Sequence, residues 1–299
     1  TNLESYLRCP YAYFLGKVIS PADFEESASY LIVGSVLHKV LDRLATRMRS
    51  ATIPSLSMAD EEQIAFLRKH VKELLNEELA GSGLDGGVQG AVYRAGLGFH
   101  LNRFIDRERA CSRNLGLEHH ELEFGTGRGR HSVGTMLRLG DSFITGRIDR
   151  VDREEGTDRA VVIDYKSGST SGYSHMKFEE KGIIQIPLYM MAVREIWGLN
   201  PVGGEYYSLK DSERRGLYLG QCQDLLATGC DTTSTDFVDD ETFAKRLKVA
   251  EKMATHAIKG IRSGRFPRDP VEGNETCSKC DFQGICRQTA RAANFAGAA

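Results

Sequence analysis

Val161-Val162-Ile163-Asp164-Tyr165-Lys166-Ser167-Gly168 decides how the chain is read, together with the upstream segment Gly146-Arg147-Ile148-Asp149-Arg150-Val151-Asp152. Both are β-branched runs interrupted by charges. The polar Arg153-Glu154-Glu155-Gly156-Thr157-Asp158 between them reads as a turn, so the pair predicts a β-hairpin. Side chains two apart on a strand share a face, which aims Asp164 and Lys166 the same way. Folding the hairpin can bring Asp149 to within one metal ion's reach of Asp164. An exposed sheet face with cross-strand ion pairs is the plain alternative for an isolated Asp-x-Lys, and the rest of the chain has to decide between them.

With 299 residues and 41% hydrophobic content, the chain has the length and composition of ordinary globular protein. Its 39 Lys+Arg against 41 Asp+Glu give a net charge of -2, which excludes a basic nucleic-acid coat but not a local basic channel. No run of 18 apolar residues and no signal-peptide pattern is present, so a cytoplasmic rather than membrane-spanning or secreted chain is expected. The first residue is Thr rather than Met, which fits an excised piece of a longer polypeptide. Seven cysteines, an odd number spread thinly, predict a reducing setting rather than a disulfide scaffold.

Outward from the hairpin, several helices are predicted. Asn2 reads as the N-cap of a helix carrying Leu3, Tyr6 and Leu7, which Pro10 breaks just after Cys9. That places the Cys9 thiol at a helix end suited to a ligand, or simply in a packed core. Residues 30–48 put Val33, Val36, Leu37, Val40, Leu41 and Leu44 on one stripe. His38 lies off it beside Gly34 and Asp42, toward a crevice or toward solvent. Residues 59–110 read as a helical insert with a glycine-rich loop at 81–87.

Strands are predicted at Leu117–Phe124, Thr135–Leu139, Phe143–Asp152, Ala160–Ser167 and Glu205–Leu209, with a basic turn or phosphate contact at Gly125–His131. Helices are predicted at Ile183–Trp197, with Gln185 and Tyr189 on one face and Pro187 confined to the first turn, and at Thr242–Ile261. The sum is an α/β fold, a mixed central sheet flanked by helices. No phosphate-binding Gly-x4-Gly-Lys-Ser/Thr loop occurs, so this segment is not expected to hydrolyse ATP.

Asp149 and Asp164 are hard oxygen ligands suited to Mg²⁺ or Mn²⁺, and a histidine nitrogen leans toward Mn²⁺. A metal between carboxylates polarises a phosphate and acidifies bound water, while Lys166 orients that water or stabilises developing charge. In outline this is phosphodiester hydrolysis.

The succession Gly34-x3-His38, Gly146-Arg-Ile-Asp149, Ile163-Asp164-Tyr165-Lys166-Ser167-Gly168 and Gln185-x3-Tyr189 resembles the PD-(D/E)xK nuclease superfamily, in its RecB/AddB-like branch. Ile-Asp stands in place of the Pro-Asp of the superfamily's name, a replacement common across that branch. The resemblance implies a restriction-endonuclease-like core in which His38, Asp149 and Asp164 ligate the metal with the Tyr165 carbonyl. It makes Lys166 the catalytic lysine, with Gln185 and Tyr189 supporting the site and contacting DNA.

Cys277-x2-Cys280-x5-Cys286 is thiolate spacing for zinc or an iron-sulfur cluster, with Cys9 as candidate fourth ligand. Iron-sulfur members of the same branch also place one cysteine early and three late. That resemblance implies a [4Fe-4S] cluster on Cys9, Cys277, Cys280 and Cys286 stapling the two ends together, with Zn²⁺ as the alternative. Cys111, Cys222 and Cys230 fit neither pattern and read as ordinary thiols.

The expectation is one nuclease domain over residues 1–299, with a helical insertion at about 50–115. It is a metal-dependent DNase, an exonuclease on single-stranded DNA or DNA ends in repair or recombination. A helicase subunit or helicase domain is the expected partner, and Arg147, Arg150 and Lys166 are the expected cations beside the DNA. The alternatives are a catalytically silent DNA-end-binding module and a CRISPR-adaptation nuclease that works with an integrase.

Overall fold

In the computed structural model, which describes residues 1–19, 29–111, 113–127, 131–227, 229–271 and 274–287, the chain begins with helix α1 (Asn2–Arg8). A break at Cys9 and helix α2 (Pro10–Tyr13) follow, running into a π-helical turn (Phe14–Ile19). Thr1 rather than Asn2 caps α1. Its hydroxyl accepts the Glu4 N–H at 3.1 Å while the Glu4 carboxylate returns to the Thr1 backbone, a capping box that Asn2 cannot form one residue later. Pro10 opens α2, where its missing N–H costs nothing.

Three long helices form the next layer: α3 (Ser29–Ser50), α4 (Glu61–Leu79) and α5 (Gly87–Ala110). The predicted stripes are buried: Val36, Leu37, Val40, Leu41 and Leu44 of α3 pack with Leu67, Leu74 and Leu75 of α4 and with Leu101, Phe104 and Ile105 of α5.

The sheet strands are β1 (Leu115–Phe124), β2 (Ser132–Val133), β3 (Leu137–Leu139), β4 (Ser142–Ile144), β5 (Gly146–Glu154) and β6 (Arg159–Lys166). After them come α6 (Phe178–Lys181), α7 (Gln185–Trp197), β7 (Asn200–Ser208), β8 (Arg214–Leu219), α8 (Gln223–Leu226) and β9 (Phe237–Val238). The long helix α9 (Asp240–Arg262) and the short α10 (Asn274–Ser278) and α11 (Gln283–Cys286) complete the order. Seven strands join in the order β2-β1-β5-β6-β7-β8-β9. The β1–β5, β5–β6 and β7–β8 pairs are antiparallel, whereas β6 and β7 run parallel and therefore need the crossover that α7 provides.

Helices cover both faces, as expected of the mixed α/β architecture. On β6, Val161, Ile163 and Tyr165 pack toward α3, α4 and α5, while Ala160 and Val162 pack toward α7 and α9. The alternation places Asp164 and Lys166 on the α7 side. Among the described residues no helix is long and apolar enough to cross a membrane.

Four expectations need correction or narrowing. The strand expected over Phe143–Asp152 divides at Thr145, and β4 pairs with β3 in a separate small sheet. Strand β8 was not expected, because Glu213-Arg214-Arg215 has the charge of a solvated loop. Arg214 is nevertheless buried against Glu205 and Glu108, and the half-buried Arg215 pairs with Asp236. Cys111 and Cys230 are not ordinary thiols: they form a disulfide, with Cα atoms 4.6 Å apart although 119 positions separate them. Cys111 caps the end of α5, so the docking of the helical layer creates the pair, whereas Cys222 stays free and buried. Of the basic turn expected at Gly125–His131, residues 128–130 lie outside the described residues.

Candidate active site

Lys166 and Asp164 do share a face. Lys166 Nζ lies 2.5 Å from Asp164 Oδ2. Gln185, the first residue of α7, donates from Nε2 to Asp164 Oδ1 at 2.7 Å and accepts from Lys166 Nζ at 3.3 Å. One turn along, the Tyr189 hydroxyl accepts from the same Nε2 at 3.2 Å. Burial, then the Asp149 charge, pushes the Asp164 carboxyl up to about 6 against the opposing pull of Lys166 and His38. For Lys166, burial works against the charged form, but the Asp164 carboxylate outweighs it and raises the ammonium above its ordinary value. The ammonium also stands 5.1 Å from the Tyr206 ring centroid, within cation–π reach.

On the next strand the Tyr165 N–H donates to Asp149 Oδ2 at 2.8 Å, and His38 Nδ1 of α3 lies 3.4 Å from Asp149 Oδ1. The third member was missed in the sequence. The β1–β5 register pairs His120 with Arg150 and Leu122 with Ile148, so Glu121 stands opposite Asp149. Glu121 holds a left-handed φ of 44°, a costly conformation for a glutamate and one that clusters at functional sites. Burial first, and the Asp149 carboxylate second, push Glu121 up to about 7, while Arg147 Nε at 2.9 Å from its Oε2 pulls the other way. Burial lowers His38, but its Asp149 hydrogen bond and the charges of Asp149, Asp164 and Glu121 carry it up to about 9.

One ligand atom each from His38, Glu121 and Asp149 lies within 4.8 Å of the others, a nitrogen and two carboxylate oxygens fit for a divalent cation. Asp164 is not in that group; its Oδ1 accepts from Gln185, while its buried Oδ2, beside the Lys166 ammonium, has no hydrogen-bond partner among the described residues. The triad and the Asp164–Lys166–Gln185 cluster line an open cleft of about 590 Å³ that also exposes Lys39 and Arg147. Arg150, expected beside DNA, does not reach it. Its side chain is 13% exposed and is held by Asp152 at 2.7 Å, Glu108 at 2.6 Å and the Tyr165 hydroxyl at 3.2 Å.

Cys9, Cys277, Cys280 and Cys286 line one cavity, with Tyr11, Arg268 and Phe282 around them. The carboxyl-terminal segment is tied to α1 by Val271 N–H donating to the Arg8 carbonyl at 2.8 Å and Tyr6 OH donating to the Arg265 carbonyl at 2.6 Å. Burial raises the Cys9 thiol; nearby backbone amides pull it down, and Cys280 and Cys286 push it up again. No three of these sulfurs lie within 4.8 Å of one another among the described residues.

The sequence profile of the PD-(D/E)XK nuclease superfamily matches residues 1–287. An ATP-dependent helicase/deoxyribonuclease subunit of Lachnoclostridium phytofermentans is 26% identical over 99% of this chain and 30% of its own length. Its counterpart in Lactococcus lactis subsp. cremoris strain SK11 is 23% identical over 96% of this chain and 28% of its own. An exonuclease/helicase subunit RexB of strain MG1363 is 22% identical over 96% and 28%. The chain thus spans less than a third of the length of these curated relatives. With the profile matched from the first residue through the last of the four cavity-lining cysteines, the chain belongs to the PD-(D/E)XK nuclease superfamily.

Proposed function

We propose that the chain is a divalent-metal-dependent deoxyribonuclease acting as one domain of a helicase-nuclease, with single-stranded DNA or a DNA end as substrate. The observation that carries this reading is the cleft itself, where the His38–Glu121–Asp149 ligand set and the Asp164–Lys166–Gln185 cluster open side by side. His38, Glu121 and Asp149 would hold Mg²⁺ or Mn²⁺, with Asp164 and the Tyr165 carbonyl as further oxygen donors. A cation bound there supplies Lewis-acid charge to the phosphate and acidifies water.

The protein's own groups do the rest. Asp164 and Gln185 fix the Lys166 ammonium, which orients a water or meets charge growing on the phosphate. Tyr189 fixes Gln185 in turn. Arg147 and Lys39, at the rim, meet backbone phosphates, which makes binding salt-sensitive and largely blind to sequence. A silent DNA-end-binding module has no use for two like carboxylates held opposite each other. The relatives' names supply the helicase connection, and a DNA-processing domain of this kind would work in the cytoplasm.

The cysteine cavity we read as the seat of a [4Fe-4S] cluster. Four thiolates around one cavity are the donor set such a cluster takes, and Zn²⁺ is the alternative occupant. The cluster's contribution would be to staple the carboxyl-terminal segment to α1. The direct test of the nuclease reading is Mn²⁺- or Mg²⁺-dependent release of nucleotides from end-labelled single-stranded DNA, abolished by substitution at Asp164 or Lys166.

A further inference from the structure

Helix α7 carries Gln185 at its first position, yet it has no capping side chain of its own, because its N-cap residue is Ile184. The exposed N–H groups of a helix start need partners when they are buried. Here they come from elsewhere in the chain. Glu4 Oε1 accepts the N–H groups of both Ile184 and Gln185, each at 2.9 Å, across 180 residues of sequence. The Ile186 N–H goes to the Tyr206 hydroxyl at 3.2 Å, and residue 187 is Pro with no N–H to satisfy. The second oxygen of the same carboxylate closes the capping box of α1. One side chain therefore sits at two helix starts, where the helix dipoles favour a negative charge. It also stands at the far end of α1 from Cys9.

We infer that Glu4 is a positioning residue for the nuclease centre, an inference that rests on the reading of the cleft as a nuclease site. By holding the first turn of α7, Glu4 fixes where Gln185 meets Asp164 and Lys166. Gln185 then transmits the placement: its amide bridges the carboxylate at 2.7 Å and the ammonium at 3.3 Å. Helix α1, clamped to the carboxyl-terminal segment through Tyr6 and Arg8, is the strut that carries Glu4.

The test combines amide exchange with a double-mutant cycle on the whole chain. In Glu4→Ala, exchange at Ile184 and Gln185 should accelerate, and single-turnover cleavage of single-stranded DNA should fall about 10- to 100-fold while DNA affinity in EDTA is unchanged. Glu4→Gln keeps an acceptor oxygen and should restore both protection and most of the rate. On a Gln185→Ala background, adding Glu4→Ala should lower the rate no further. Unchanged exchange in Glu4→Ala, a Glu4→Gln as impaired as Glu4→Ala, or an undiminished loss on the Gln185→Ala background would each overturn the inference. If the unsubstituted protein cleaves no DNA, the nuclease reading fails, while the exchange comparison still decides whether Glu4 holds α7.

Discussion

Glu121 and Asp149 face each other across the β1–β5 ladder, two carboxylates in directly opposed positions with His38 completing a ligand triad. Like charges so placed destabilise a sheet unless a cation or proton joins them. Glu121→Gln should therefore weaken Mn²⁺ binding about 10-fold or more, by calorimetry or spin-resonance titration. Glu123→Gln, whose carboxylate bonds Thr126 instead, should leave the affinity unchanged.

The cysteine cavity makes an independent prediction. Anaerobically purified protein should be brown and contain about four irons per chain, the content of one [4Fe-4S] cluster. Cys9→Ser or Cys286→Ser should lose the iron and lower the melting temperature, whereas Cys222→Ser, buried but outside the cavity, should keep it. A colourless protein with one zinc would count against the cluster.

Glu205 sets an acid limit on the fold. Burial opposes its ionisation, but Arg113 and Arg214 more than compensate and bring the carboxyl down to about 2 from 4.5. A group depressed on folding contributes stability that is fully present above its unfolded value and is lost as pH falls through the folded one. Unfolding free energy should thus drop by on the order of 3 kcal/mol between pH 5 and pH 2 from this group, measured by urea titration. Glu205→Gln should remove that part of the slope and cost about 3–5 kcal/mol at pH 7, since it leaves the buried Arg113 without a carboxylate and Arg214 with Glu108 alone.

The Cys111–Cys230 bridge ties the end of α5 to the loop beyond α8. Under oxidising conditions Cys111→Ser should cost about 2–4 kcal/mol of stability, and with reductant present the two proteins should unfold alike. Peptide mapping without reduction tests the pairing itself.

What the sequence made legible was local. Asp164 and Lys166 share a face because strand periodicity is a property of two residues, and His38 left the apolar stripe because helical periodicity is a property of two turns. Glu121 became visible only through the register between β1 and β5, which depends on pairing at a distance. The same holds for Arg150, drawn inward by Glu108 from α5 and so absent from the cleft. Strand β8 was hidden because its arginines find carboxylates that no local window contains. The disulfide joins two cysteines whose spacing carries no signal.

On the proposed function, Lys166, held by Asp164 and Gln185, belongs to a metal-dependent centre that cuts DNA. The most direct measurement is single-turnover cleavage of end-labelled single-stranded DNA by Lys166→Ala, with binding measured separately in EDTA. Cleavage should require Mn²⁺ or Mg²⁺ and fall by at least about 100-fold in the variant, with DNA affinity nearly unchanged. Full metal-dependent cleavage by Lys166→Ala would contradict the proposed function.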